Sequence, residues 1–190
     1  MLEAAEARDL IEETVERAEE EQKAEARAER AFRDKVSLLV GIFAVMLAVI
    51  HVVGAGLVRE NIVDTIKASD TYNYMQAKRL RQEVLKLGAL TAPGEQRADL
   101  AKQAADLAQP DARGHGIGQL QEAGDKLTEA GAQAGEAGER YEWAETALQM
   151  AIVLLSIAII ANSRAVVGGA SLLALAGAGL ALATHFHLLG

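Results

Sequence analysis

Four histidines, a glutamate ladder and a Tyr-Asn-Tyr triplet hold most of the chemical potential of this chain. His51 stands inside a stretch without charge that runs from Val36 to Val58. Gly41, Ala44, Ala48, His51 and Ala55 follow spacings of three and four, so on a helix the imidazole shares a face with small residues. An ionisable ring within a membrane span reads first as a functional site, such as a proton or pore position. The alternative is a neutral ring hydrogen-bonded to a backbone carbonyl or to a Ser or Asn on a neighbour. Gln149, at the start of a later apolar run, is a second polar candidate of the same kind.

The remaining groups offer less. His185 and His187 are two residues apart, about 200° around a helix, and cannot chelate one metal together. His115 sits in Gly114-x-Gly116-x-Gly118, which has no following Lys-Ser/Thr and no preceding strand, so it is not a phosphate loop. Glu136, Glu139, Glu142 and Glu145 drift around a helix and read as a solvated acidic surface. Tyr72, Asn73 and Tyr74 could bind a ligand or form a polar layer that sets helix register. Without Cys there is no thiol or disulfide chemistry, and without a nucleophilic or metal-spaced cluster no catalytic residue, cofactor or metal is expected. The chain is not expected to be an enzyme.

The elements that position these residues are helices. Residues 1–35 carry twelve acidic and seven basic side chains with no Gly or Pro, which predicts a charged helix rather than a secretory signal. Three uncharged runs follow, of 23, 18 and 26 residues, at 36–58, 146–163 and 165–190. A helix needs about 20 apolar residues to cross a bilayer, so each run reads as a span. The segmentation is a charged helix at 1–35, spans at 36–58, 147–161 and 165–187, and a central region at 59–146. Only Asn162, Ser163 and Arg164 join the last two spans, which must therefore run antiparallel. This distribution excludes a single soluble domain. A net charge of −8 excludes a basic nucleic-acid binder.

Within the central region, Pro93-Gly94 and the stretch from Pro110 to Gly118 are breaks. Leu120, Ala123, Leu127, Ala130, Ala134, Ala137, Tyr141, Ala144 and Leu148 then alternate three and four apart, which predicts a close heptad seam. Its expected partner in the same chain is Asn73, Ala77, Leu80, Val84 and Leu87. In the third span Ala170, Ala174, Gly177 and Ala181 make another small-residue stripe. Three spans with small faces exceed what one bundle needs, so contacts between chains are expected through Gly41, Ala44, Ala48, Ala130, Ala134, Ala137 and the third-span stripe.

Three crossings put the N-terminus and Arg164 on one face. Arg27, Arg30, Arg33, Lys35 and Arg164 there outnumber Arg59, Lys67 and Arg140 on the other. That bias places the N-terminus in the cytoplasm and residues 59–146 in the periplasm of a bacterial inner membrane. Trp143 and Tyr141 suit the aromatic belt of the second face.

Two segments carry a family likeness: Ala68-Ser69-Asp70-Thr71-Tyr72-Asn73-Tyr74-Met75-Gln76-Ala77-Lys78, and Leu148-Gln149-Met150-Ala151-Ile152-Val153-Leu154-Leu155-Ser156-Ile157-Ala158. With the order of parts, they resemble a bacterial membrane family known as domain of unknown function 4337. The likeness implies the architecture and no chemistry. The expectation is an all-α integral membrane protein with three transmembrane helices, an N-terminal charged helix, and a long extramembrane helical hairpin between spans one and two. Its expected role is a non-enzymatic, homo-oligomeric membrane scaffold, with the lipid bilayer and its own copies as partners. The alternative is a channel or envelope sensor with a conduit between protomers.

Overall fold

The computed structural model describes the backbone of residues 2–186 and the side chains of residues 17–186. Four helices follow one another: α1 (Leu2–Thr91), α2 (Gly94–Ala108), α3 (Ile117–Ala161) and α4 (Arg164–His185). Among the described residues there is no strand. Three of these helices, α1, α3 and α4, are long and apolar enough to cross a membrane. His187 and the side chains of residues 1–16 lie outside the described residues.

The 90 residues of α1 form one helix because no proline interrupts them and glycine occurs only at positions 41, 54, 56 and 88. Pro93 ends it, since proline lacks an amide N–H and biases the residue before it away from helical backbone. The last turn closes through Ala92 N–H to the Gly88 carbonyl (3.0 Å) and Thr91 Oγ1 to the same oxygen (3.2 Å). Between α3 and α4, Asn162 takes a left-handed φ of 46°, which Asn tolerates better than most residues. Ser163 then caps α4, its hydroxyl accepting from Val166 N–H.

The chain divides into two compact units, residues 1–51 with 141–190, and residues 52–140. In the first, Val36, Phe43 and Ile50 of α1 recur every seven residues and are buried. On α3 the buried set is Tyr141, Ala144, Leu148, Ala151, Leu155 and Ala158. On α4 it is Ala170, Ala174, Gly177, Ala178, Ala181 and Thr184. Val36, Phe43, Ala151, Leu155, Ala170 and Ala174 share one core cluster, so large side chains of α1 fill the space that alanines of α3 and α4 leave. At Gly177 an added Cβ would lie 2.9 Å from the Ala144 carbonyl oxygen, which makes glycine necessary there.

In the second unit, α1 and α3 meet in reverse order. Val58 packs at Gly138, Asn61 at Gly131 and Gly135, Tyr72 at Gly124, and Arg79 bonds to Gln121. Here the expected seam keeps Leu120 and Ala134 but shifts by one residue at Ala123, Ala130 and Ala137. Leu120, Gly124, Gly131, Ala134 and Gly138 are buried, whereas Ala123 and Ala130 are exposed and Ala137 is half-buried. At Gly124 and Gly135 an added Cβ would run into the Tyr72 ring and the Asn61 carboxamide, so glycine there lets α1 approach more closely than alanine would. Asn73, Ala77, Leu80, Val84 and Leu87, expected to face α3, are all exposed; α1 buries Ala68, Met75 and Ala89 instead.

The loop before α3 is organised by one carboxylate. Asp111 Oδ1 accepts from the N–H groups of Arg113 (3.0 Å) and His115 (2.6 Å), while Gln119 Oε1 accepts from Asp111 N–H and Gly116 N–H. Such an Asx turn substitutes side-chain acceptors for helical ones. Gly114 supplies the left-handed φ of 74° that the turn requires.

Candidate functional site

His51 and Gln149 converge on a residue the sequence reading set aside. His51 Nδ1 lies 3.2 Å from both carboxylate oxygens of Glu145, and Gln149 Nε2 donates to Glu145 Oε1 at 2.9 Å. A proton on Nδ1 or on the carboxyl makes this contact a hydrogen bond. Glu145 and Gln149 are one helical turn apart on α3, which places both beside the ring.

The helices bring these groups together by register. His51 stands seven residues before Val58, the end of the uncharged run of α1, about 10 Å of helix at ~1.5 Å per residue. Glu145 is the last charge before the uncharged run of α3, which has 18 residues against 23 in α1. The shorter run draws a carboxylate alongside a part of α1 that is itself free of charge. A carboxylate from the flank of α3 thus stands beside the uncharged run of α1, although no span contains one in its own sequence. It was traceable from Gln149, because Glu145 is its neighbour at i−4.

The cluster is open. The His51 side chain keeps 64% of its accessible surface and that of Glu145 keeps 25%. Gly41, Ala44, Ala48 and Ala55, on the same face of α1 as His51, are exposed too. The small-residue stripes thus separate. That of α4, Ala170, Ala174, Gly177 and Ala181, is buried within the chain, whereas Gly41, Ala44 and Ala48 of α1 are not. The side chains α1 turns inward against its neighbours' alanines are Val36, Phe43 and Ile50, while Leu38, Val45, Val49 and Val52 are exposed along with the small residues.

The other candidates resolve differently. Glu136, Glu139 and Glu142 are exposed, so only Glu145 leaves the acidic surface. Tyr72 donates its hydroxyl to Asp125 Oδ1 at 2.6 Å, a bond between α1 and α3 that fixes their register. The ring of Tyr74 meets His115 edge-on at 5.6 Å, and Lys78 Nζ donates to the His115 carbonyl, so His115 is half-buried rather than free in solvent. Trp143 is exposed, while Tyr141 is buried and departs from the expected aromatic belt. Burial pushes the Tyr141 phenol above its ordinary range. Among the described residues, no group of three His, Cys, Asp or Glu side chains could hold a metal ion.

Comparison with curated proteins gives no match, and comparison with solved structures gives none either. Comparison with family models gives one: the model of Domain of unknown function (DUF4337) matches residues 32–187, a stretch that holds the His51–Glu145–Gln149 cluster and all three breaks between the helices. On that match, the chain belongs to the DUF4337 family.

Proposed function

We propose that this chain is a non-enzymatic membrane protein that assembles as a homo-oligomer and acts as a scaffold. In this reading α1, α3 and α4 span a bacterial inner membrane, with the N-terminus cytoplasmic and residues 59–146 forming a periplasmic helical hairpin. The observation that carries it is the His51–Glu145–Gln149 cluster, with His51 and Gln149 exposed and Glu145 half-buried, beside the bare Gly41, Ala44 and Ala48 face. An ionisable pair facing hydrocarbon is costly, about 2.5–3.5 kcal/mol for a charged side chain at mid-bilayer even by lenient scales. Covering it with a second copy removes that cost, and small residues let two spans approach closely enough to do so. Identical chains supply identical faces, so a closed dimer or ring is the economical result.

The same cluster favours a second reading, a conduit between protomers, because it sets polar groups along the face that would line an axis. Mass measurement in nanodiscs decides the first reading: the expected result is a defined multimer of the 20.1 kDa chain. A single chain at every concentration would overturn it. Ala48→Leu should lower the multimer fraction while leaving insertion intact. For the conduit, ion or proton flux into proteoliposomes should be present and should fall in His51→Leu; absence of flux in a proven multimer leaves the scaffold.

A further inference from the structure

Residues 73–87 of α1 carry an apolar stripe that the rest of the second unit leaves bare. Asn73, Ala77, Leu80, Val84 and Leu87 recur at alternating spacings of four and three, and all are exposed. The three large aliphatics are 68%, 59% and 63% exposed at Leu80, Val84 and Leu87. Three such side chains in heptad spacing on a water-facing helix are the mark of a helix–helix interface. Asn73 identifies the occupant. Its carboxamide has no hydrogen-bond partner among the described residues. Against an aliphatic side chain of an unrelated helix it would be buried unsatisfied. Against the same residue of an identical helix, parallel and in register, two carboxamides satisfy each other as donor and acceptor. Asp70 lies one step before Asn73 on the stripe and limits the contact there, since two carboxylates would face each other.

We propose that this stripe is a self-association surface for a second copy of the chain, with the two α1 helices parallel and in register from Asn73 to Leu87. The parallel sense rests on the membrane reading above, in which all copies share one topology. Two heptads are short for a free coiled coil. Copies already held in one membrane meet at an effective concentration on the order of millimolar, so a weak contact suffices. The surface is separate from the Gly41, Ala44 and Ala48 face, and either could exist without the other.

The chain contains no cysteine, so single-cysteine variants report contacts cleanly. Asn73→Cys, Leu80→Cys and Leu87→Cys, with Lys126→Cys as an exposed control on α3, are oxidised in proteoliposomes of bacterial phospholipid. The three stripe variants should form disulfide-linked dimers roughly tenfold faster than the control, because their copies are held together. A mixture of the Asn73→Cys and Leu87→Cys chains should give same-site dimers alone. The two positions are fourteen residues apart, about 21 Å along the helix, and a disulfide needs Cα atoms within about 7 Å. Adding Leu80→Glu to Leu87→Cys should slow linkage about tenfold while circular dichroism stays unchanged. Linkage at the control rate, or preferential 73-to-87 linkage as in an antiparallel pair, would overturn the proposal. Control-rate linkage in a preparation whose nanodisc mass is still multimeric rejects this surface and leaves assembly through the spans standing. A monomeric mass rejects the assembly reading itself.

Discussion

Single side chains decide the local structure where polar groups meet. Asp111 is the sharpest case: two backbone N–H donors, that of His115 foremost, hold its carboxyl below the usual carboxylate range. A group whose folded pKa is depressed stabilises the fold above its unfolded value of about 3.9, and that contribution disappears as pH falls through the folded value. Protection of the Arg113 and His115 amides from hydrogen exchange should therefore drop with acid below pH ~4 in the wild type. In Asp111→Asn the protection should be weaker at neutral pH and no longer follow that titration. An unchanged acid profile in the variant would remove Asp111 from the account. His51 makes a related point about what a sequence can reveal. Its position on a small-residue face was legible from spacing alone, but its partner Glu145 lies 94 residues away and depends on how far one helix is offset along another. Offsets of that kind are not written in either segment by itself.

At the scale of elements, periodicity identifies a seam but not its phase. A residue three positions on and one four positions on are about 100° apart, and both fit a stripe of ordinary width. Ala123 and Ala130 were the apolar choice on sequence grounds, yet Gly124 and Gly131 are buried; at Gly124 the Tyr72 ring of α1 takes the space a Cβ would fill, whereas at Gly131 a Cβ would only reach ordinary contact with Asn61 and Thr65. The helix breaks were legible because Pro93 and the glycines around His115 act through their own backbones. The face that meets a partner was not, because it depends on side chains elsewhere. The phase has a direct test. An added Cβ at Gly124 would sit 2.7 Å from Tyr72 Cε1, whereas at Gly118 it meets nothing within 4 Å. Gly124→Ala should thus lose about 1–3 kcal/mol to overpacking. Gly118→Ala should be neutral or gain up to about 1 kcal/mol from helix propensity. Likewise Ala134→Leu should destabilise by about 1–3 kcal/mol and Ala130→Leu should do little. Thermal unfolding of the four variants measures all of this. Equal stability of Ala134→Leu and Ala130→Leu would mean the observed phase is not the one that holds the helices together.

For the whole molecule, an odd number of crossings is the strongest commitment, because it fixes which parts share a compartment. In the proposed reading, in which all three long apolar helices cross, residues before Val36 share a side with the Asn162–Arg164 turn, and residues between Val58 and Glu145 lie on the other. If α3 and α4 dipped in and returned without crossing fully, their turn would stop at mid-bilayer, where Arg164 would face the charge cost discussed for His51. The full crossing keeps Arg164 with Arg27, Arg30, Arg33 and Lys35, on the side that positive residues favour. Labelling tests this without disturbing either packed face. Glu20 and Lys126 are both exposed, so Glu20→Cys and Lys126→Cys each present one thiol in a chain that otherwise has none. A membrane-impermeant maleimide added to intact cells should label Lys126→Cys and spare Glu20→Cys. Permeabilised cells should label both. Arg164→Cys should behave as Glu20→Cys does, since an even number of crossings separates them. Labelling of Glu20→Cys and Lys126→Cys from the same side would end the three-span reading.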